Sequence, residues 1–273
     1  MTGASRGIGP YIAQTLAKQG MNLVLAARSA AQLETLADHT RRSGVKSVAM
    51  PVDLREPGAC QVLISAAMKK CGPVDVLVNN AGAEMTSSYH KLPSQAIERI
   101  IQVNLTAPML LARLVLPEML ERRCGHIVNM SSLAGKVGPP FCEPYAATKA
   151  GLIAFTQSLR IEYRGTGVSA SVICPGNVQA GIYQRLMGET GLTAPSFLGT
   201  STPESVALAV VRCIKKDIPE IIVNPGPARW LTALAELSPS LAEYVMRRFG
   251  VADWFKTVAA AREAKNSFQS QDI

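Results

Sequence analysis

The chain has 273 residues, of which 48% are hydrophobic and 5% aromatic; this size and composition suit one α/β domain with a sizeable core. The net charge is +8, but lysine and arginine are scattered along the chain. Because they form no basic stripe and no known nucleic-acid motif is present, we expect no nucleic-acid partner. No apolar run is long enough for a bilayer span, and the start lacks the features of a signal peptide. The six cysteines form no Cys-x-x-Cys pair. We therefore expect reduced thiols in a cytoplasmic protein.

Short apolar runs alternate along the chain with amphipathic stretches of helical length. This pattern is typical of a parallel sheet covered by helices on both faces. The sequence predicts a Rossmann-type doubly wound sheet in a catalytic, dinucleotide-binding domain 1–225, and a helical extension 226–273 packed on the same domain. In chain order, the predicted elements are helix 8–19, strand 22–27, helix 30–43, strand 47–52, helix 57–71, strand 74–79, helix 94–122, strand 125–130, helix 143–163, strand 167–173, helix 203–216, strand 219–223 and three further helices at 228–237, 239–249 and 254–264.

The first strand of such a sheet has no counterpart in this sequence. In dinucleotide-binding folds the glycine-rich turn follows the first, central strand, but here Met1 directly precedes Thr2-Gly3. An unfilled position would leave backbone groups unpaired inside the sheet. We therefore expect either a sequence truncated at its N-terminus or another segment that fills the gap.

The glycine-rich turn itself indicates a dinucleotide site. Gly3, Gly7 and Gly9 permit a tight turn and let the backbone approach a pyrophosphate at a helix N-terminus. Ile8 is expected to add backbone and apolar contacts. An ordinary glycine-rich loop is the alternative.

A tyrosine and a lysine one helical turn apart indicate the chemistry. Tyr145 and Lys149 are spaced i and i+4, so the phenol and the ammonium can share one face of a helix. A free tyrosine titrates near pH 10, and we expect Lys149 to lower that pKa. The hydroxyl of Ser132 can hold a carbonyl oxygen beside the phenol, although Ser131 competes for this position. With a hydride from a dinucleotide, these residues predict ketone–alcohol redox chemistry; a half-buried pair on a helix face is the alternative.

The ordered set of motifs resembles the short-chain dehydrogenase/reductase family, in its small single-domain branch. The match extends from residue 2 to about residue 223, and the order and spacing make it specific. The matching motifs are Thr2-Gly3-Ala4-Ser5-Arg6-Gly7-Ile8-Gly9, Asn79-Asn80-Ala81-Gly82, Asn104, Ser132, Tyr145-Ala146-Ala147-Thr148-Lys149 and Pro175-Gly176.

The resemblance implies a role for each catalytic candidate. Hydride passes between the nicotinamide and a substrate carbonyl carbon, and Tyr145 gives its proton to the developing alkoxide. Ser132 hydrogen-bonds the same oxygen, and Lys149 binds the nicotinamide ribose hydroxyls. Asn104 matches an asparagine that holds a water in the family's proton relay, although it can also simply cap or kink its helix.

The resemblance also implies how the cofactor is held. The nicotinamide is bordered by Pro175-Gly176 and Val178, but the threonine that the family has two residues further on is replaced by Ala180. Asn79 is expected to hold the sheet together. The cofactor-binding residues implied are Gly3, Ser5, Arg6, Gly7, Ile8, Gly9, Arg28, Asp53 and Leu54 on the adenosine side, Asn80, Ala81 and Gly82 after the fourth strand, and Tyr145, Lys149, Pro175, Gly176 and Val178 around the nicotinamide.

The choice between NAD and NADP depends on the residues after the second strand. A carboxylate there favours NAD, but this chain has Ala26-Ala27-Arg28-Ser29. Arg28 can fork onto a 2′-phosphate, and Arg6 can approach the same group. We therefore expect NADP(H) rather than NAD(H), with a solvated Arg28 as the alternative.

The segment 181–200 is rich in apolar residues and is expected to form a mobile lid over a lipid-like substrate: a 3-oxoacyl thioester, a steroid or a long-chain ketone. A helix pair packed on the body of the protein is the alternative. The extension is expected to pack on the domain, with a role in the pocket or at a membrane surface ranked lower.

We expect a homodimer or homotetramer through helices 94–122 and 143–163. No metal-ligand spacing is present, so we expect no metal. A non-catalytic dinucleotide-binding regulatory protein is the competing function.

Overall fold

The computed structural model describes residues 1–226 and 228–265; residue 227 and residues 266–273, which belong to the predicted extension, lie outside the described residues. The strands are β1 (Leu23–Ala27), β2 (Ser47–Pro51), β3 (Val76–Asn79), β4 (Gly125–Met130), β5 (Val168–Pro175) and β6 (Glu220–Val223). The helices are α1 (Gly9–Ala17), α2 (Ala30–Arg41), α3 (Ala59–Cys71), α4 (Ser94–Ile101), α5 (Ala107–Glu121), α6 (Glu143–Glu162), α7 (Gly181–Thr190), α8 (Pro203–Lys216), α9 (Ala228–Leu237), α10 (Pro239–Arg248) and α11 (Val251–Ala264).

The strands form a parallel sheet in two parts. One part pairs β2 with β1, and the other has the order β3-β4-β5-β6; the register places Val24 opposite Val48 and Ile127 opposite Ala170. The predicted Rossmann-type arrangement of parallel strands and helices is confirmed.

Met1 and Thr2 lie in the gap between the two parts. The Met1 amine donates to the Val24 carbonyl at 2.7 Å, and the Ala26 amide donates to the Met1 carbonyl at 2.9 Å. The Thr2 amide donates to the Val78 carbonyl at 2.9 Å. These two residues therefore join β1 to β3 at the carboxyl end of the sheet, directly before the glycine-rich turn. An N-terminal truncation stays a prediction.

Each face of the sheet buries its own apolar cluster. On one face, α1, α2 and α8 contribute Ile12, Leu33 and Val210, which are fully buried. On the other, α3 and α5 contribute Leu63 and Leu111. Helices packed on both faces of the sheet through these two clusters form a three-layer α/β/α arrangement. The parallel strands all end at the same edge of this sheet.

The predicted long helix 94–122 has an irregular turn in its middle. A π-helical turn at Gln102–Thr106 separates α4 from α5, and such turns recur at functional sites. The most apolar 18-residue window of Ser94–Glu121 has a mean hydropathy of 1.5. By length and composition alone, this stretch is sufficient for a membrane span. The expectation that no such run exists is therefore wrong by this measure. The buried residues of α5, including Leu111 and Met119, pack into the core.

The predicted lid 181–200 contains one α-helix, α7, followed by a short 3₁₀ turn at Ser196–Leu198. The extension forms α9, α10 and α11, close to the predicted spans. The last of these helices packs against α7, and the rings of Phe197 and Phe249 lie 5.8 Å apart. The extension thus contacts the segment between β5 and α8.

Candidate active site

A cleft of about 1470 Å³ opens at the carboxyl edge of the sheet. Parallel strands end there together, which is where open α/β sheets bind ligands. The residues that the sequence assigned to the site line this cleft, except Gly9 and Asn104: Gly3, Ser5, Arg6, Gly7, Ile8, Arg28, Asp53, Leu54, Asn80, Ala81, Gly82, Ser132, Tyr145, Lys149, Pro175, Gly176 and Val178.

The glycine-rich turn is possible because two of its residues adopt backbone conformations that favour glycine. Gly3 has a φ of +63° and Gly7 a φ of +65°. A Cβ at Gly3 would lie 2.7 Å from the Cα of Ala81, and one at Gly7 would lie 2.9 Å from the Cα of Gly181. Asn80 closes the contact by donating to the Gly3 carbonyl at 2.8 Å. The turn thereby packs directly against the loop that follows β3.

Arginine side chains line the part of the cleft that the sequence assigned to adenosine. Arg6 and Arg28 line it, and Arg28 also contributes to lowering the pKa of Asp53. The main cause of that lowering is the side-chain hydrogen bond from Arg55, whose guanidinium lies 2.6 Å from the carboxylate. Arg55, which the sequence patterns did not single out, therefore holds Asp53, the acid that the resemblance assigned to the adenosine side.

Ser131 and Ser132 follow β4 and point in different directions. The Ser131 hydroxyl donates to the Lys149 carbonyl at 2.8 Å and is thus committed to α6. Ser132 accepts from the Ala134 amide at 3.1 Å and also shares a hydrogen bond with the Tyr145 hydroxyl. Of the two serines, Ser132 is the one placed to hold a substrate oxygen beside the phenol.

Tyr145 and Lys149 lie together on the cleft side of α6. The Lys149 Nζ is 5.6 Å from the centre of the Tyr145 ring and donates to the Met130 carbonyl at 2.8 Å. Lys149 is only 4% exposed. One short helical segment therefore brings a phenol and an amine into the same enclosed part of the cleft.

Burial dominates the proton affinities of both groups. Burial raises the pKa of Tyr145, and the hydrogen bond from Ser132 only partly opposes this effect. Burial also lowers the pKa of Lys149 to about 8. The expectation of a lowered Tyr145 pKa is therefore wrong for the protein alone, because burial is the dominant effect on the phenol and raises its pKa.

Asn104 lies behind the cleft wall, in the π-helical turn, and is fully buried. Its amide accepts from the Ala83 N–H and donates to the Ala83 carbonyl, both at 2.8 Å, and donates to the Thr148 hydroxyl at 3.2 Å. These contacts make Asn104 a positioning residue that fixes the loop after β3 against α6. Its part in a proton relay stays a prediction.

Gly9 is buried at the start of α1 and does not line the cleft. A Cβ there would lie 2.1 Å from the Gly3 carbonyl, so the position closes the turn upon itself. Asn79 is likewise buried and donates to the Asn129 side chain of β4 at 2.9 Å, in agreement with a role in the sheet.

The second half of the cleft is walled by segments that carry no recognised motif. Lining residues from α7 and the loop after it include Ile182, Tyr183, Leu186, Phe197 and Leu198, and those from the extension include Leu241, Val245, Met246, Trp254 and Phe255. A polar group of Glu84, Thr86 and Cys142 lies among them. Sequence patterns did not single out these three residues, since only the fold brings Cys142 beside Thr86.

Comparison with known proteins agrees with this geometry. A family model for short chain dehydrogenases matches residues 1–189. The ketoacyl reductase HetN of Nostoc sp. is 41% identical over 274 residues, which cover 98% of this chain and 94% of that protein. A metagenomic short-chain oxidoreductase solved with NADP is 32% identical, with a TM-score of 0.71 over 83% of this chain and 96% of the other. A variant of the actinorhodin polyketide ketoreductase solved with NADPH is 29% identical, with a TM-score of 0.77 over 84% and 95%.

The chain is a short-chain dehydrogenase/reductase.

The residues of this dehydrogenase/reductase fit a phosphorylated dinucleotide. The close approach at Gly3 and Gly7 leaves bare backbone facing the cleft just before α1, as a pyrophosphate requires. At Arg28 the donor set is a guanidinium, which matches a phosphate rather than a ribose hydroxyl. Within the described residues, no group of three or more histidine, cysteine, aspartate or glutamate side chains has the arrangement to hold a metal ion.

The buried amine predicts a pH-dependent stability. Burial lowers the pKa of Lys149 from 10.5 to about 8 in the folded protein. Between these two pH values the unfolded chain therefore binds more protons than the folded chain. Stability therefore rises with pH across this window, by at most about 1.4 kcal/mol per pH unit. We expect the unfolding free energy of the natural protein, relative to Lys149→Met, to increase by roughly 2 kcal/mol between pH 8 and pH 10 in denaturant titrations. Lys69→Met, at an exposed position, is the control; a flat difference for Lys149→Met would contradict the buried, proton-poor amine.

The guanidinium of Arg28 predicts a selective effect on cofactor binding. We expect Arg28→Ala to weaken NADPH binding by roughly 10- to 100-fold, because a charge-assisted hydrogen bond contributes about 1.5–3 kcal/mol. NADH, which lacks the 2′-phosphate, should bind the variant as before. Fluorescence titration with both nucleotides measures this, with the exposed Arg42→Ala as a charge-matched control. Equal weakening for both nucleotides would argue against a 2′-phosphate contact.

Proposed function

We propose that the protein is an NADP(H)-dependent ketoreductase that interconverts a ketone and a secondary alcohol on an apolar, lipid-like substrate. The observation that carries this proposal is the position of Ser132, Tyr145 and Lys149 in the cleft. The same cleft is lined by the glycine-rich turn and Arg28 and by residues of α7, α10 and α11. Chemistry in this cleft joins a bound nucleotide to a substrate held in the apolar half.

The cofactor would be held by the glycine-rich turn, Arg28 and the residues around Pro175, and when bound it supplies or accepts the hydride. Tyr145 holds the proton that a developing alkoxide needs, and burial keeps it protonated in the reduction direction. Ser132 donates to the same oxygen and stabilises the charge that grows on it. Lys149 lies beside the phenol and anchors to the Met130 carbonyl. In the oxidation direction Tyr145 takes the proton back.

The substrate half of the cleft favours an apolar compound. Leu186 and Val251 are almost fully buried, and Phe197, Val245 and Trp254 border the same space. Pockets of this kind recognise ligands chiefly through buried apolar area, with few polar anchors. Similarity to a ketoacyl reductase and to a polyketide ketoreductase supports a 3-oxoacyl thioester within this class, with steroids and long-chain ketones as the other members.

A non-catalytic dinucleotide-binding protein is the second candidate, favoured by Ala180. The methyl group of Ala180 offers no hydrogen bond where the family has a threonine hydroxyl. The side chain is 6% exposed, and its amide donates to the Val178 carbonyl. The complete set of Ser132, Tyr145 and Lys149 supports the enzyme instead.

We further propose that the protein is cytoplasmic and forms a homodimer or homotetramer. Apolar side chains on the helices expected to pair are exposed, with Met109 at 42%, Leu110 at 41% and Ile161 at 77%. Apolar patches of this kind favour protein–protein contact, and sedimentation of the purified protein at several concentrations would reveal a monomer instead.

Removal of one hydroxyl tests the enzymatic proposal. We expect Tyr145→Phe to reduce NADPH-dependent turnover of a ketone panel by roughly 10²–10⁴, the contribution of one acid–base group. NADPH binding should change little, because the ring and its packing remain. Product formation by mass spectrometry and binding by fluorescence measure the two effects. Tyr163→Phe, just after α6, is the matched control and should keep full activity. Near-natural turnover in Tyr145→Phe would remove this residue from the reaction, and no turnover in the natural protein would favour the regulatory alternative.

Chain length tests the substrate class. If the apolar half binds the acyl or alkyl chain, kcat/KM should rise by about fourfold for each added methylene until the pocket is full, since a buried methylene contributes about 0.8 kcal/mol. Ala242 lines the cleft, so Ala242→Phe should remove this gain for long ketones and spare short ones. Ala233→Phe, at an exposed site on α9, should leave the series unchanged. A series without dependence on length would contradict a lipid-like substrate.

A further inference from the structure

We propose that Arg262 is a positioning residue that determines substrate specificity. Its guanidinium holds three walls of the substrate half of the cleft, the loop after β3, α7 and α11, in one arrangement, and thereby preserves the contacts of a long apolar chain. This inference rests on the proposed function, because it concerns which ketones the proposed reductase prefers. It assigns a role to an arginine that lies in no sequence motif.

The three walls come from distant parts of the chain and meet at the cleft. The last of them, α11, packs against α7. Side chains that line the cleft are Glu84 and Thr86 from the loop after β3, Tyr183 and Leu186 from α7, and Val251, Trp254 and Phe255 from α11. The spacing of the three walls therefore depends on contacts between side chains that only the fold brings together.

Arg262 joins the three walls through a single guanidinium. Its Nη1 donates to the Oε1 of Glu84 at 2.8 Å, whereas its Nε donates to the Oε2 of Glu189 at 2.9 Å and its Nη2 lies 2.8 Å from the same oxygen. Glu189 belongs to the last turn of α7. Lys265, directly after α11, also donates to the Glu189 carbonyl. Because the guanidinium is planar and rigid, these contacts fix the loop, α7 and α11 relative to one another.

Burial makes this arrangement strict. The Arg262 side chain is 9% exposed and that of Glu84 is 4% exposed. The Oε1 of Glu84 also accepts from Thr86, while its Oε2 is buried and has no hydrogen-bond partner among the described residues. Removal of the guanidinium would leave a buried carboxylate uncompensated, and such a charge is costly until the surrounding segments move apart and admit water. The walls would then separate.

The effect on the substrate should grow with the length of its chain. Arg262 is not among the cleft-lining residues, so it acts on the substrate through the walls that it holds. Separation of these walls removes apolar contacts from a chain that extends along them. A short ketone makes few of these contacts and should lose little.

The next residue of α11 offers a matched control. Glu263 binds Lys91 at 2.6 Å and the Ser88 amide at 2.9 Å, and thus ties the same helix to the same loop. Lys91 and Ser88 are not among the residues that line the cleft, and neither belongs to α7. Loss of the Glu263 charge therefore weakens the attachment of α11 without releasing α7.

The test is a series of ketones of increasing chain length. We expect Arg262→Met to raise KM for the longest ketone by roughly tenfold, which corresponds to the lost contacts of one or two buried methylenes. The kcat values, KM for the shortest ketone and the Kd of NADPH should change little, because Glu84 and Glu189 are not residues assigned to the reaction or to the nucleotide. Arg262→Lys should show a smaller rise, since an ammonium keeps the charge but lacks the fork.

Hydrogen exchange gives a second measurement that does not depend on activity. Amides of α7 should exchange several-fold faster in Arg262→Met than in the natural protein, because the end of the helix is released. Glu263→Gln should lower thermal stability, but it should leave the exchange of α7 and the KM series as they are. Glu189→Ala removes the contact to α7 and keeps the buried pair of Arg262 and Glu84. It should reproduce the effects of Arg262→Met in the event that Arg262→Met does not fold.

Two results would overturn the inference: an unchanged KM series, or the same change for short and long ketones. An equal effect in Glu263→Gln would do so as well, because general loosening of α11 would then be sufficient. Absence of ketone turnover in the natural protein would instead refute the proposed function. In that case unchanged exchange of α7 in Arg262→Met and Glu189→Ala refutes the positioning role too. Normal turnover of short ketones with an unchanged series refutes the inference alone.

Discussion

The enclosure of an amine and a phenol on one turn of α6 is the constraint on which the site depends. Lys149 has 4% of its surface exposed, and its nitrogen donates to the Met130 carbonyl at 2.8 Å. Burial raises the pKa of Tyr145 and lowers that of Lys149. Both groups are thus driven toward their neutral forms. A negative group or a pair of hydroxyls placed against Lys149 would favour the ammonium, and the ammonium would in turn favour the phenolate.

The fold creates that enclosure by bringing distant strand ends together. β4 delivers Ser131 and Ser132, and Ser131 binds the backbone of α6 at Lys149. The π-helical turn delivers Asn104, which clamps Ala83 after β3. Asn104 also donates to the Thr148 hydroxyl of α6. The residues after β3 and β4 are therefore both tied to the helix that carries the phenol.

Sequence patterns predicted the architecture and the motif-bearing part of the cleft because both follow from local spacing. The i, i+4 pair on α6 and the glycines of the first turn require only periodicity and backbone geometry. The Glu84–Arg262 pair was beyond reach, since 178 residues separate its members and neither lies in a motif. The direction of the Tyr145 shift was also misjudged, because spacing reveals a neighbouring cation but not the loss of water around both groups. The gap at the first strand was foreseen, whereas the placement of Met1 and Thr2 in it depends on backbone pairing that sequence does not encode locally.

The residues assigned to the reaction and those proposed to contact the substrate lie in different parts of the chain. The family match ends at residue 189, and every residue assigned to proton or hydride transfer precedes that point. The wall of the substrate half is instead completed by α10 and α11, through residues such as Val245 and Trp254. Arg262 and Glu263 fasten this wall to the loop after β3, only a few residues beyond Gly82. The extension thus contacts the loop that carries Glu84 and Ser88, close in sequence to the cleft residue Gly82.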